Sequence, residues 1–312
     1  MKKFISCDWG TTNFRLCLTD RSDASMQAQF ESDKGIAAIF KDWQQDAAGA
    51  DRFVYYQHYL KHAIGLLEQQ EEMSLTGLPL VISGMASSAI GMKELPYAVL
   101  EEGFDLAKLP VESFAEIPGF PHAIHLVSGI RTGKEVMRGE ETKWVGMEIP
   151  PAPSVCCVVP GTHSKHLRLT NGHLQTFSTW LTGELFALLT RYGLLAGSVE
   201  SGGFFIDHRA AFFAGVDESG NSELLCALFA VRTNELFGRF SKANNYWYLS
   251  GLLIGSELRT LEAAPWHLCC DGLFAELYQE ASARLGLPAP QWHSAAAALR
   301  NGQRILLDNR VG

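Results

Sequence analysis

The sequence has no Cys-x-x-Cys pair, no apolar run long enough for a membrane and no excess of basic residues, and each absence closes off a class of function. Seven cysteines (Cys7, Cys17, Cys156, Cys157, Cys226, Cys269, Cys270) make an odd count without framework spacing. Most stand in apolar stretches, where cysteine behaves as a small hydrophobe, so the pattern argues against a zinc site. The opening MKKFISCDWG holds two lysines but not the apolar run of a signal peptide. No stretch reaches the roughly 20 apolar residues of a membrane span. Asp and Glu outnumber Lys and Arg by 34 to 26, a formal charge of -8, which disfavours a nucleic-acid groove and an anionic membrane surface. A reduced, soluble, cytoplasmic protein is expected, with no nucleic-acid or membrane partner.

Two catalytic signatures are also missing. Gly129–Glu135 (GIRTGKE) lacks the spacing, and the Ser or Thr after Lys, of the phosphate loop GxxxxGK[ST]. There is no GxSxG elbow, and Ser164 and His163 are adjacent in an extended segment, where they point to opposite faces and do not pair. His163 and His166 lie on a turn and strand with no evident third ligand, which speaks against a metal centre.

What is present is a soluble globular composition, 47% hydrophobic and 19% charged over 312 residues, with a length prior of about two domains. Phe4–Asp20 (FISCDWGTTNFRLCLTD) reads as strand, polar turn, strand. Asp8 closes the first strand, and Gly10, Thr11, Thr12 and Asn13 form the turn, with Arg15 beyond it. Backbone, hydroxyl and amide donors around such a turn suit phosphate oxygens. Asp8 suits a divalent cation beside them. An ordinary hairpin with a polar turn fits the same spacing equally well.

Further on, Ala24–Ser32 reads as a third strand and Arg52–Gln70 as an amphipathic helix, with Phe53, Tyr56, Leu60, Ile64 and Leu67 on one face. Pro79–Ser83 and His122–Ser128 read as strands, and Gly84–Gly91 as a loop of small residues. Leu109–Pro121, with three prolines, reads as irregular surface structure. A helix is expected to begin near Gly139. Pro150–Pro153 punctuates the chain, placing a boundary between an N-terminal lobe, 1–150, and a C-terminal lobe, 151–312, whose last helix packs back on the first.

Beyond the boundary come strands Val155–Val159 and His166–Thr170. Helices are expected over Leu181–Ala196, Phe204–Val216, Ser222–Phe240, Tyr246–Ala263, Leu273–Leu285 and Ser294–Asn301, with a strand at Trp266–Cys270. The turn Gly161-Thr162-His163-Ser164, with Lys165, echoes Gly10-Thr11-Thr12-Asn13 with Arg15. Two such units half a chain apart suggest two similar lobes addressing one ligand.

Other features carry two readings each. Glu140 and Glu141 suit either the first turn of a helix, where backbone dipoles favour acids, or a general base for a hydroxyl. Gly251 and Gly255 suit either close helix packing or, at Ser250-Gly251, approach of a nucleotide ring.

Taken together, these stretches resemble the 2-dehydro-3-deoxygalactonokinase family, sugar-acid kinases of the actin-like, hexokinase-type superfamily. The resemblance is carried by Asp8 to Arg15, Ser83-Gly84-Met85 with Glu94 to Tyr97, Met137 to Thr142, Pro160 to Lys165, Leu181 to Leu189 and Tyr248 to Gly255. It implies a two-lobed α/β fold, ribonuclease H-like, each lobe a mixed sheet flanked by helices, with the active site in the cleft between lobes. It also implies ATP-dependent phosphorylation, with Mg2+, of the terminal hydroxyl of 2-dehydro-3-deoxy-D-galactonate.

By this analogy Asp8–Arg15 and Gly161–Lys165 are the phosphate motifs, Asp8 holds the metal, and Glu140 is the base, with Glu141 second. Ser83, Gly84, Met85, Ser87, Ser88, Arg131 and Lys165 are expected at the sugar acid, and Ser250 and Gly251 at the nucleotide. Two departures stand out. Family members carry a loop like GMIGSRQGW, with a basic residue where this chain has Ala89. Leu268-Cys269-Cys270-Asp271-Gly272 replaces a more glycine-rich strand end near the expected adenosine site. A kinase of another sugar acid or keto-sugar, and a non-catalytic nucleotide sensor, are the alternatives; a homodimer is left open.

Overall fold

Two strand–turn–strand hairpins, half a chain apart, each begin a mixed sheet. The computed structural model describes residues 2–46, 49–101, 104, 109–115, 117–204 and 206–311. Residues 116 and 205, inside two segments assigned from the sequence, lie outside these. The chain divides into one unit of Met1–Pro151, Gly172–Gln175 and Ser294–Gly312, and another of Ala152–Asn171 and Thr176–His293.

In the first unit, β1 (Lys3–Trp9), β2 (Phe14–Asp20) and β3 (Met26–Ser32) form an antiparallel meander. Two helices follow, α1 (Ile36–Asp46) and α2 (Arg52–Gln70). Asp51 caps α2 by accepting the Val54 N–H at 3.3 Å, an ordinary way to satisfy an orphan helix donor. Then come β4 (Leu80–Gly84), β5 (Ala98–Val99), β6 (Val111–Phe114), β7 (Ile124–Val127), β8 (Ile130–Arg131), β9 (Val136–Met137) and the short helix α3 (Glu140–Met147). The main sheet runs β3-β2-β1-β4-β7-β6, with β1, β4 and β7 parallel; β5, β8 and β9 form a small second sheet.

One face of the main sheet buries Trp9, Phe14 and Leu16 against Ile36 and Ile39 of α1 and Tyr56, Leu60 and Leu67 of α2. The segment read as irregular, Leu109–Pro121, instead contains β6, antiparallel to β7, with Leu109, Val111 and Phe120 buried. Its prolines flank an edge strand rather than interrupt a central one, which is where sheets tolerate them.

The second unit repeats the plan with β10 (Val155–Val159), β11 (Ser164–Thr170) and β12 (His173–Trp180). After α4 (Thr182–Arg191), α5 (Gly193–Ala196), α6 (Arg209–Glu218), α7 (Leu224–Ala227), α8 (Ala230–Leu236) and α9 (Lys242–Leu258) come β13 (Trp266–Cys269), α10 (Leu273–Arg284) and β14 (Gln291–His293). The sheet order is β12-β11-β10-β13-β14, the same pattern as β3-β2-β1-β4-β7. The single helix expected over Ser222–Phe240 is two short ones, α7 and α8.

α9 is buried nearly all round, and its glycines form a seam with α6. A Cβ on Gly251 would sit 2.0 Å from the Phe212 carbonyl oxygen, and one on Gly215 2.0 Å from that of Tyr248. The last helix, α11 (Ala295–Val311), belongs to the first unit and lies against α3, β1 and β4.

Candidate active site

The first turn is closed by the Gly10 N–H, which donates to the Asn13 carbonyl at 2.9 Å. Its own carbonyls are taken up by the start of α1: the Ile36 N–H reaches Gly10 O at 2.9 Å and the Ala37 N–H reaches Thr11 O at 3.1 Å. Gly35 makes this approach possible, since a Cβ there would lie 2.4 Å from Thr11 O. With the carbonyls engaged behind, Thr11, Thr12 and Asn13 stay exposed. Trp9 is wholly buried, its indole N–H on Lys34 O at 3.1 Å. Asp8, on the opposite face, keeps a partly exposed carboxylate 3.5 Å from Arg15, which also pairs with Glu31 at 3.2 Å.

The second turn is built the same way. The Glu184 N–H at the start of α4 donates to Thr162 O at 2.9 Å, and a Cβ on Gly183 would lie 2.4 Å from Gly161 O. Gly35 and Gly183 are thus equivalent wedges, and they extend the sequence echo to the following helices. Thr162 and His163 are exposed, with His163 Nε2 on Glu184 Oε2 at 2.5 Å.

Ser164 and Lys165, expected at phosphate or sugar, are instead buried in β11. The Ser164 hydroxyl donates to Glu257 Oε1 at 2.6 Å. Glu257, 1% exposed on α9, also accepts from His166 Nε2 at 2.9 Å, the Tyr278 hydroxyl at 2.9 Å and the Thr182 hydroxyl. A buried carboxylate needs such donors, and this one ties the turn to α4, α9 and α10. Its partners lie 21 to 93 residues away in sequence, so no local pattern announced it.

In the first unit, the ends of β1 and β4 meet the start of α3 backbone to backbone. β1 and β4 pair in register, Asp8 opposite Ser83 and Trp9 opposite Gly84. Gly84 has φ 95° and a Cβ there would meet Trp9 O at 2.7 Å; Gly139 has φ 114° and its Cβ would stand 3.3 Å from Gly84 Cα. Both positions need the left-handed freedom of glycine. This stacking brings the Glu140 segment to the strand ends that carry Asp8.

The two acids of α3 differ sharply. Glu140 is partly exposed, and its Oε2 accepts the Arg138 N–H at 3.1 Å. Glu141 is 1% exposed, and both its oxygens receive the Gly139 N–H, at 2.7 and 2.8 Å. Burial, reinforced by the neighbouring Glu140 charge, pushes the Glu141 carboxyl up from 4.5 to about 7.

Because the folded value exceeds the unfolded one, Glu141 stabilises the fold fully below about pH 4.5. That contribution is lost as pH rises towards 7, a change of about 3 kcal/mol at most. Glu141→Gln therefore flattens the fall in stability between pH 5 and 7.5. Urea midpoints at the two pH values check it, and an unchanged difference between them would contradict the burial of a titrating Glu141.

Several expected substrate residues serve the protein itself. The Ser83 hydroxyl is fully buried and accepts from Gln303 Nε2 at 3.0 Å; the same amide reaches Cys7 O at 2.9 Å. Met85 packs against the core. The Ser87 hydroxyl, also fully buried, donates to Val127 O at 2.7 Å. Ser88 is 6% exposed and its hydroxyl has no partner. Arg131 stands exposed on β8. Ser250 is buried, and Gly251 faces the α6 backbone, as the helix-packing reading expects.

Sequence reasoning passed over Arg138 as a site residue. Its guanidinium lies 4.1 Å over the Tyr97 ring and donates to Ser87 Oγ and to Leu95 O at 3.2 Å.

No group of three or more His, Cys, Asp or Glu side chains among the described residues is arranged to hold a metal ion. Asp8 is a lone partly exposed carboxylate beside a donor-rich turn. That suits magnesium, which keeps several waters and takes one or two carboxylates together with phosphate oxygens.

The sequence matches the model of the 2-keto-3-deoxy-galactonokinase family over residues 8–305. The chain belongs to that family. It is 30% identical over 262 residues to a probable 2-dehydro-3-deoxygalactonokinase of Rhizobium meliloti, covering 82% of this chain and 79% of that protein. Against the 2-dehydro-3-deoxygalactonokinase of Escherichia coli it is 29% identical, over 83% of this chain and 80% of that one.

A Sinorhizobium meliloti crystal structure, described provisionally as the same kinase, superposes with TM-score 0.79 at 27% identity, covering 97% and 95% of the two chains. At the level of fold alone, this chain also matches an activator of 2-hydroxyisocaproyl-CoA dehydratase from Clostridium difficile, solved with ADPNP. That match has TM-score 0.50 and 11% identity, over 99% of this chain and 96% of that chain. The expected actin-like ATPase class is the fold found. No helix among the described residues is long and apolar enough to cross a membrane.

Proposed function

We infer that this chain is an ATP-dependent kinase acting in the cytoplasm on 2-dehydro-3-deoxy-D-galactonate, giving the 6-phosphate and ADP in galactonate catabolism. The family match supports the reaction. The observation that carries the chemistry is the close approach of Gly139 to Gly84, which sets Glu140 against the strand end bearing Asp8.

Phosphoryl transfer asks the protein mainly for positioning and charge stabilisation, with a base for the attacking hydroxyl. Glu140 takes the proton from the sugar hydroxyl. The side chains of Thr11, Thr12 and Asn13 and the backbone of Gly10 bind nucleotide phosphates. Gly161, Thr162 and His163 form the second donor-bearing turn, and Arg15 orients Asp8. Magnesium held by Asp8 and its waters would neutralise phosphate charge. The engagement of both turns' carbonyls by α1 and α4 leaves these segments rigid and donor-rich, the arrangement an anion needs.

A coupled ADP-release assay across a panel of sugar acids and keto-sugars tests the reading. The highest kcat/KM is expected for 2-dehydro-3-deoxygalactonate, by about tenfold or more over acids of other stereochemistry, a margin of about 1.4 kcal/mol. Better turnover of another acid would overturn the substrate assignment. ATP hydrolysis or binding without turnover of any acid would overturn the kinase itself.

A further inference from the structure

Resting on the kinase reading above, we propose that Arg138 is the residue that binds the substrate's carboxylate, together with Ser88, in place of the exposed Arg131 and the buried Lys165. A sugar acid is an anion, and a site that takes its carboxylate out of water must supply a cation and hydrogen-bond donors.

The guanidinium of Arg138 offers five N–H donors and no acceptor. Ser87 Oγ and Leu95 O take one each, whereas Nε is buried and without a partner. Among the described residues no carboxylate forms an ion pair with it, and its charge acts on Glu141 only as the weakest of the influences named there. The Ser88 hydroxyl, next in sequence to the serine that Arg138 touches, is also buried and unpartnered. Buried orphans of this kind are uncommon and each is destabilising, so they call for a reason. Two of them, the Arg138 Nε–H and the hydroxyl of the residue after Ser87, leave donor capacity unused on segments that Arg138 joins through Ser87. An ionised carboxylate is acceptor-only, with two oxygens that a guanidinium fork matches.

The cation is also held in place before any ligand arrives. Tyr97 stacks on it at 4.1 Å, and the contacts to Ser87 and Leu95 fix the fork's plane, which reduces the ordering needed on binding. Arg138 is joined to the proposed base by its own backbone, whose N–H donates to Glu140 at 3.1 Å. Base and anion anchor therefore come from one short segment, Arg138–Glu140, and Gly139 between them is fixed against Gly84. A substrate whose carboxylate and terminal hydroxyl lie at opposite ends of the molecule would be measured between the two.

The test compares 2-dehydro-3-deoxygalactonate with a neutral counterpart in which CH2OH replaces the carboxylate. Both are used with wild type, Arg138→Met, Arg138→Lys, Ser88→Ala and Arg131→Met. Binding is measured by calorimetry without nucleotide, and turnover by ADP release. In Arg138→Met, affinity and kcat/KM for the acid are expected to fall about 10²-fold or more, in the range found on removing one partner of a desolvated charge pair. The acid-over-neutral preference collapses, and KM for ATP moves little.

Arg138→Lys keeps part of the preference because charge without the fork remains. Ser88→Ala lowers it by about tenfold, the worth of one hydrogen bond to a charged group. Retention of the wild-type preference in Arg138→Met, or its loss in Arg131→Met, would overturn the proposal. So would equal losses for acid and neutral ligand, which mark a merely structural role. Acid binding that depends on Arg138 but leads to no turnover would leave the anchor standing and defeat the kinase reading alone.

Discussion

Glu140→Gln is expected to lower kcat by about 10²- to 10⁴-fold, the usual contribution of a positioned general base. The amide keeps the size of the side chain and can still accept the Arg138 N–H, so the start of α3 is retained and only proton transfer is removed. Glu141→Gln is the control, because Glu141 is buried with both oxygens turned to the Gly139 N–H. A base must come within hydrogen-bond reach of the hydroxyl it serves, and a carboxylate so enclosed does not. We expect Glu141→Gln to stay within about tenfold of wild type at pH 7.5, although its stability profile changes. Single-turnover measurements with saturating ATP and sugar acid separate the two. If Glu141→Gln is the more damaged enzyme, the roles are exchanged; if neither loses rate, the base lies elsewhere.

The second large effect is one of packing. Gly302→Ala should destabilise the first unit by about 3 kcal/mol and reduce activity with it. Replacing a helical glycine with alanine ordinarily stabilises by about 1 kcal/mol. Here the added Cβ would lie 1.9 Å from Thr142 O, 2.9 Å from Thr142 C and 3.2 Å from Gly146 N. Gly146 faces the same seam from α3, where a Cβ would come within 1.8 Å of Ala298 O. The obstructing atoms are helix backbone and cannot rotate aside, so the helices must separate, and overpacking of this sort outweighs the propensity gain.

α3 has only eight residues, too few to hold its place unaided, and α11 is what locates it. Gln303, next along α11, anchors both Cys7 O and Ser83 Oγ at the strand ends, so a displaced α11 also disturbs Asp8's neighbours. Calorimetry should show the first unit's transition lowered by roughly 6–12 °C, at 2–4 °C per kcal/mol for a unit of this size. A melting temperature within 2 °C of wild type, with full activity, would mean the seam is looser than described.

Where a structural element lay in a contiguous stretch, the sequence was enough to find it. The helix Arg52–Gln70 and the strand Val155–Val159 emerged with the boundaries observed, because their apolar periods are strong. The turns at Gly10 and Gly161 were visible because their glycine, hydroxyl and amide residues sit side by side between apolar runs. The alanine-rich pattern carries α11 only to Asn301, whereas the helix runs to Val311. Arg300, Asn301, Gly302, Gln303 and Arg304 look like a helix end in sequence, and only the contact with α3 shows why Gly302 and Gln303 stand inside one. α1, β12 and β14 passed unremarked: α1 starts against the first turn's carbonyls, and β12 and β14 are the edges of their sheet.

By itself the sequence determined the class of chain, the two hairpins and their polar turns, and a short segment with two neighbouring acids, since each rests on residues adjacent in the polypeptide. The tertiary structure alone decided which side chains face outward. It turned Ser164 and Lys165 into the sheet, enclosed Glu141 while leaving Glu140 partly exposed, and drew Arg138 to Ser87 and Leu95, 51 and 43 residues away. The reason is that burial and partner choice depend on contacts between distant segments, which neither composition nor spacing along the chain encodes locally. Gly84 and Gly139 show the dependence most directly: isolated glycines in sequence, they are where two strand ends and a helix start are brought into backbone contact.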